Sequence, residues 1–300
     1  HVRSRRQRQM CIRDRVISSC TPGTAQPEAV QKMLSTWNYF RSLNRLAPVS
    51  LPAHYAPQGP AQAAALTAAA GPIASGAPDS VPGAVCLNDD VKLASRSGVI
   101  ARLDGIVTPA TEVLRYITEA STANTNDNLG HRLQMFSPVQ ANAAIGAVSI
   151  GTSGPTATSI QLFDTTYEAA GRPVHPSFWD STNHQPPSIA WPAAGYFPSR
   201  ILPTGAGENV SRWSYSGQCA DLRAAEVRVS GPAGDIPLQV IHRSEPGVDP
   251  NLTPWEYGGY DTILFKVPLN QLIIPDFYNV APYTAVSYTH LRAHETPEHL

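Results

Sequence analysis

Apolar residues recur at helical spacing in the first half of the chain and at strand spacing in the last third. Pro27, at a first-turn position and followed by Glu28, opens a segment whose apolar positions Val30, Met33, Leu34, Trp37, Phe40 and Leu43 return every three or four residues. That period predicts a helix over 27–45 with one buried face. Thr108-Pro109 opens a second helix, predicted through Ala120, with Ala110, Val113, Leu114 and Ile117 on its apolar side. Leu129–Ile150, interrupted at Ser137-Pro138, predicts a further helix or helical hairpin. Strand-like runs are Val99–Leu103, Ser159–Phe163, Glu226–Ser230, Ile236–His242 and Thr262–Val267, with the turn Gly231–Asp235 folding the third of these onto the fourth as a hairpin. Helices early and strands late predict an α+β fold, with helices in the N-terminal half, an antiparallel sheet in the C-terminal third and long Pro-rich arms.

The arms are two stretches without either period. Ala47–Gly83 is made of Pro, Ala, Gly and Ser with almost no charge, and only Pro60–Ala70 within it allows a short helix. Gly171–Pro203 holds seven prolines together with Phe178, Trp179, Trp191, Tyr196 and Phe197. Large rings at this density are seldom left in water, so both arms, 47–83 and 171–203, are expected to lie along other protein. The stripe containing Trp37 has two uses open to it, packing inside its own domain, which is the commoner, and docking a partner subunit. The expected assembly contacts are therefore Trp37, Phe178, Trp179, Trp191, Tyr196 and Phe197.

Charge changes the picture at the two ends. Residues 1–15 carry six arginines and one acid, the composition of a basic arm. However, RRQRQMCIRD at Arg5–Asp14 resembles a translated frame of a sequencing-library adapter, and VSYTHLRAHET at Val286–Thr296 resembles a frame of its partner adapter. The resemblance implies that 1–15 and 286–300 are adapter-derived and contribute no structure, leaving 16–285 as an internal fragment of a longer subunit. Removing the seven basic and three acidic residues of these ends from totals of 22 and 23 turns a net charge of −1 into −5. Such a surface does not grip phosphate, which needs clustered Lys and Arg.

Candidate chemistry is sparse. Cys20, Cys86 and Cys219 are an odd, widely spaced set, read as idle thiols in a reducing compartment. The histidines His54, His131, His175, His184 and His242 form no metal-ligand spacing, and HETPEH at His294–His299 fits no zinc helix. His175 and His184 share the second arm with Asp180, from which a carboxylate-oriented base is conceivable, although polar residues on such loops generally bond the backbone. Gly151–Gly154 and Gly205–Gly207 complete no nucleophile elbow, Walker loop or dinucleotide fingerprint. No enzyme activity, cofactor or metal is expected.

Low charge, abundant Ala, Pro, Gly, Ser, Thr and Asn, long arms and few cysteines together describe a surface made to touch copies of itself. In this texture residues 16–285 resemble a coat protein of the toti-like double-stranded RNA viruses, whose large α+β subunits form shells. The resemblance implies a self-assembling capsid subunit, with copies of itself as partners, RNA enclosed without a basic binding arm, no membrane, and a location in the virion and the host cytoplasm. The cap-attacking histidine of some relatives matches none of the five histidines. Two other readings fit the composition: a jelly-roll coat protein, which predicts about eight strands with little helix, and a secreted β-rich carbohydrate-active protein that uses Trp179, Trp191, Trp213 and Trp255 as sugar platforms.

Overall fold

A computed structural model describes residues 17–51, 58–71, 84–96, 98–103, 107–119, 129–138, 140, 142–150, 156–162, 186–198, 201–202, 210–218, 220–242, 260–272 and 284–288. The chain is mixed α+β, with its helices in the N-terminal half and antiparallel sheets dominating the C-terminal part. Two compact units divide it. The first is built mainly from residues 1–120 and 129–186, the second mainly from 187–254 and 259–300.

Unit 1 holds the helices α1 (Pro27–Leu43), α2 (Gln58–Ala70), α3 (Asp89–Arg96), α4 (Pro109–Thr118) and α5 (Gly130–Met135), with the strands β1 (Gly98–Leu103), β2 (Ala144–Ser149) and β3 (Thr156–Gln161). The predicted stripe on α1 is the buried one: Met33, Trp37 and Phe40 are enclosed. At the head of α4 the Thr108 hydroxyl accepts the Thr111 N–H at 3.2 Å and Pro109 occupies the first turn, as the sequence predicts. The strands form an antiparallel sheet in the order β1-β3-β2. Ala157 packs into a cluster with Ala65, Leu66, Ala68 and Ala69 of α2, while its neighbour Thr158 meets α4. Successive strand residues face opposite ways, so α2 and α4 cover opposite faces of this sheet.

Three expectations are corrected here. The arm at 47–83 contains α2 at its centre, and Ala61–Ala69 are buried in their own unit rather than laid along a surface. Alanine makes this possible: its side chain ends at Cβ, so a helix of alanines seats its backbone close against a sheet. The helical hairpin expected in 129–150 is a helix followed by a strand, since α5 ends at Met135 and 144–149 form β2. Ile145 and Val148 supply the β-branched side chains of that strand. The thiols are not idle, because Cys20 and Cys86 form a disulfide across a sequence separation of 66; Cys219 lies outside the described residues.

The outer edge of β2 is closed by side chains instead of a strand. Gln58 Nε2 donates to the Ile145 carbonyl at 2.8 Å, and Gln58 Oε1 accepts the Ile145 N–H at 3.4 Å. One turn along α2, Gln62 repeats the pairing with the Ala147 N–H and C=O at 3.1 and 3.2 Å. Asn38 treats Val49 in the same way, at 2.8 and 2.9 Å. Each amide presents one donor and one acceptor, as a neighbouring strand does, which removes the exposed edge that invites aggregation. Between the two glutamines sits Gly146, where an added Cβ would lie 2.7 Å from Gln62 Cα and press on the Ala61 carbonyl. Both obstacles are helix backbone, which has no rotamer to change. Gly146→Ala is therefore expected to lift α2 off the sheet and destabilise unit 1 by about 2–3 kcal/mol. Gly59→Ala in the same helix, where a Cβ meets nothing, is the control, and thermal unfolding of the two variants compares them.

Unit 2 holds a sheet of β4 (Ser188–Trp191), β5 (Val210–Gln218), β8 (Gln239–His242) and β9 (Tyr260–Pro268) in the order β4-β5-β9-β8, and a second sheet of β6 (Glu226–Gly231), β7 (Gly234–Ile236) and β10 (Thr284–Tyr288) in the order β10-β6-β7. Trp213 of β5 and Phe265 and Val267 of β9 share one apolar cluster with Val229 of β6 and Ile236 of β7, so the sheets pack face to face. The predicted hairpin is present as β6–β7, but its return strand splits: β8 leaves to pair with β9, Val240 opposite Phe265. The arm at 171–203 is corrected over 188–191, which form β4 paired with β5, and 163–185 lie outside the described residues. The expectation that 286–300 contributes no structure is also corrected for its first three residues. Val286–Tyr288 continue β10 opposite Glu226–Arg228, because an alternating extended segment satisfies the free edge of β6. Residues 1–15 lie outside the described residues.

Candidate functional site

The residues expected to make assembly contacts separate into buried, exposed and undescribed. Trp37 is fully enclosed in unit 1, where its indole N–H donates to the Met135 carbonyl at 2.7 Å, and this corrects its assignment to a docking surface. Trp191 is likewise corrected, being buried at the end of β4 with its ring edge-on to Phe197, centroids 4.9 Å apart. An apolar stripe or a tryptophan looks the same in sequence whether its partner is the same chain or another. Phe178 and Trp179 lie outside the described residues.

Tyr196 differs from these. It is 89% exposed, the largest value among the exposed large apolar residues described. It sits on a turn that starts at the cis Trp191-Pro192 bond and passes through Gly195 at φ +94°. Only glycine takes that φ without strain. The Trp191–Phe197 pair anchors the turn, so that the phenol is held outward on a fixed base.

A group of ionisable side chains lies in unit 1 around α4. Glu112 is fully buried; its Oε2 is 3.2 Å from the Thr158 hydroxyl, and its Oε1 has no hydrogen-bond partner among the described residues. The Tyr116 hydroxyl, one turn along the same face, donates to the Thr158 carbonyl at 3.0 Å and lies 2.9 Å from the Thr158 hydroxyl. At the end of the helix Glu119 adopts a left-handed conformation, φ 55°. Its carboxylate accepts the Arg132 backbone N–H at 2.7 Å and meets His131 Nδ1 at 3.0 Å, which ties α4 to α5. Tyr116 and His131 stack edge-on, 5.6 Å apart.

Burial pushes the Glu112 carboxyl up to about 7, against the opposing pull of the Arg115 charge and the Thr158 hydroxyl. The Thr158 hydroxyl donates to Glu112 Oε2, and the Tyr116 hydroxyl donates to the Thr158 carbonyl. Burial also raises the Tyr116 phenol, as does Glu112. At His131 burial works against the imidazolium, yet the Glu119 charge and hydrogen bond outweigh both that and Arg115, and the net direction is upward. A group whose folded value lies above its unfolded one contributes stability below the unfolded value and loses it as pH rises through the folded value. For Glu112 that window runs from 4.5 to about 7, and the gap corresponds to about 3 kcal/mol.

Nothing in the sequence marks this cluster. Glu112, Tyr116 and Glu119 follow a helical period of four and three, but an acid beside an apolar stripe reads as the solvated flank. Of the five histidines singled out, only His131 belongs to the group; His54, His175 and His184 lie outside the described residues, as does Asp180. Among the described residues no group of His, Cys, Asp and Glu has the arrangement to hold a metal ion, and no helix is long and apolar enough to cross a membrane. No protein-family model, curated protein or solved structure matches the chain.

Proposed function

We propose that the chain is part of a self-assembling viral coat subunit of the toti-like kind, enclosing an RNA genome. The observation that carries the reading is Tyr196, a large ring held almost wholly in solvent on a turn braced by two other aromatics. Rigid tyrosines lose little entropy on binding and dominate interfaces between chains. The low charged content of 15% and the edge strands β7, β8 and β10 suit the same role. The reading assigns the chain no catalysis and no cofactor, since no sequence motif for either is completed. RNA is retained by enclosure, because the chain away from its ends carries a net charge of −5. Virion and host cytoplasm are the proposed locations, with the Cys20–Cys86 bond closing in the particle rather than in the reducing cytosol.

Both rival readings lose support. Trp191 and Trp213 are buried in their own unit and present no open face to a sugar. Unit 2 packs two sheets face to face, but the five helices among the described residues exceed the little helix that a jelly roll predicts. The test is sizing by light scattering over a concentration series. The chain is expected to form higher oligomers, and Tyr196→Ser is expected to weaken association at least tenfold without lowering the unfolding temperature. A monodisperse monomer, unchanged by Tyr196→Ser, would remove the assembly reading.

A further inference from the structure

We propose that α4 is a pH-operated latch, bolted to β3 through Glu112, Thr158 and Tyr116 and to α5 through Glu119, which is closed while Glu112 carries a proton and loosens once that proton is lost. The inference is independent of the assembly reading. Its ground is geometric. The inner face of α4 carries Val113, Tyr116 and Ile117 into the core, and the same face carries a carboxyl group with one oxygen on Thr158 and the other on nothing described.

A neutral carboxyl leaves only a carbonyl oxygen unsatisfied there. An ionised one leaves a desolvated negative charge that, among the described residues, accepts a hydrogen bond from the Thr158 hydroxyl alone, and moving α4 outward is the direct way to hydrate it. The cation acting on Glu112 is Arg115, on the same helix, the Thr158 hydroxyl is its hydrogen-bond donor, and Glu112 in turn acts on the Tyr116 phenol; among the described residues α1, α5 and β1 add no ionisable group to those acting on Glu112. At the far end, His131 and Arg132 of α5 face Glu119. Protonated His131 strengthens that bolt, so both ends respond to pH in the same sense, tighter at lower pH and weaker as pH rises.

Hydrogen exchange on the full chain tests the latch, with protection corrected for the intrinsic effect of pH. Between pH 5.5 and 8 the amides of Glu112–Thr118 are expected to lose at least tenfold in protection, while those of β5 and β9 in unit 2 hold theirs. Glu112→Gln, which is neutral at either pH, is expected to retain most of the α4 protection at pH 8, and adding His131→Asn is expected to remove the remaining pH dependence. A change below threefold in the unaltered chain, or the full loss persisting in Glu112→Gln, would overturn the proposal. Infrared absorption of the unaltered chain supplies a readout that needs no variant. A protonated-carboxyl band should persist at pH 6, where ordinary carboxyls are ionised, and vanish by pH 8; its absence at pH 6 would equally overturn the latch.

Discussion

Replacing Arg41 with methionine is expected to destabilise unit 1 by about 4 kcal/mol, the largest effect of any single substitution considered. Arg41 sits in the last turn of α1 and is fully enclosed. Its Nε donates to the Ala47 carbonyl at 2.8 Å, Nη1 to those of Met135 and Ser137 at 2.9 Å each, and Nη2 to that of Gln140 at 3.3 Å. One planar fork therefore fixes the chain that leaves α1 and the chain that leaves α5. Burial lowers the guanidinium to about 9, which leaves it cationic at neutral pH, solvated by four backbone dipoles in place of water. Methionine fills similar volume but removes four hydrogen bonds, at about 1 kcal/mol each; the Met135 and Ser137 carbonyls keep the Trp37 indole and the Gln140 N–H, so the Ala47 and Gln140 carbonyls bear the larger loss. Lysine keeps the charge but concentrates its donors at one point, and it is expected to recover less than half of the loss. Urea denaturation followed by Trp37 fluorescence reports on the same place, since Trp37 and Arg41 share the Met135 carbonyl. An unchanged midpoint in Arg41→Met would mean that those carbonyls reach water.

Opening the Cys20–Cys86 disulfide is expected to cost nearly as much, up to about 4 kcal/mol in the chain-entropy model for a loop of this length. The bond joins the turn before α1 to the segment just before α3, so the loop it closes contains both α1 and α2. The effect acts on the unfolded chain, whose ends separate freely once the bond is cut. The double variant Cys20→Ser/Cys86→Ser should unfold at lower denaturant with the unit 2 transition unmoved. A reductant titration of the unaltered protein should reproduce the shift. Equal midpoints with and without reductant would show that the two sulfurs do not constrain the unfolded state.

The sequence by itself determined the elements whose signal is local. The period of α1, the Thr108-Pro109 start of α4, the hairpin at Gly231–Asp235 and the strand at Thr262–Val267 within β9 each depend on residues within one element, and all four stand in the structure. The α+β class follows from them. Tertiary structure decided everything that depends on who sits next to whom. Ile145 and Val148 occur in a run of Ala and Gly that is compatible with helix, and the glutamine pairs of α2 settled it as a strand. Cys20 and Cys86 look unpaired until the fold brings their Cα atoms to 5.2 Å. Glu112 and Arg41 carry charges that composition assigns to solvent, and only the layers closed over them push the carboxyl of one up to about 7 and make the other a four-way clamp. Trp37 and Tyr196 both stand among the expected contacts because a side chain's hydrophobicity is fixed by its atoms, whereas its exposure is set by the residues packed around it: one ring is enclosed and the other is 89% exposed.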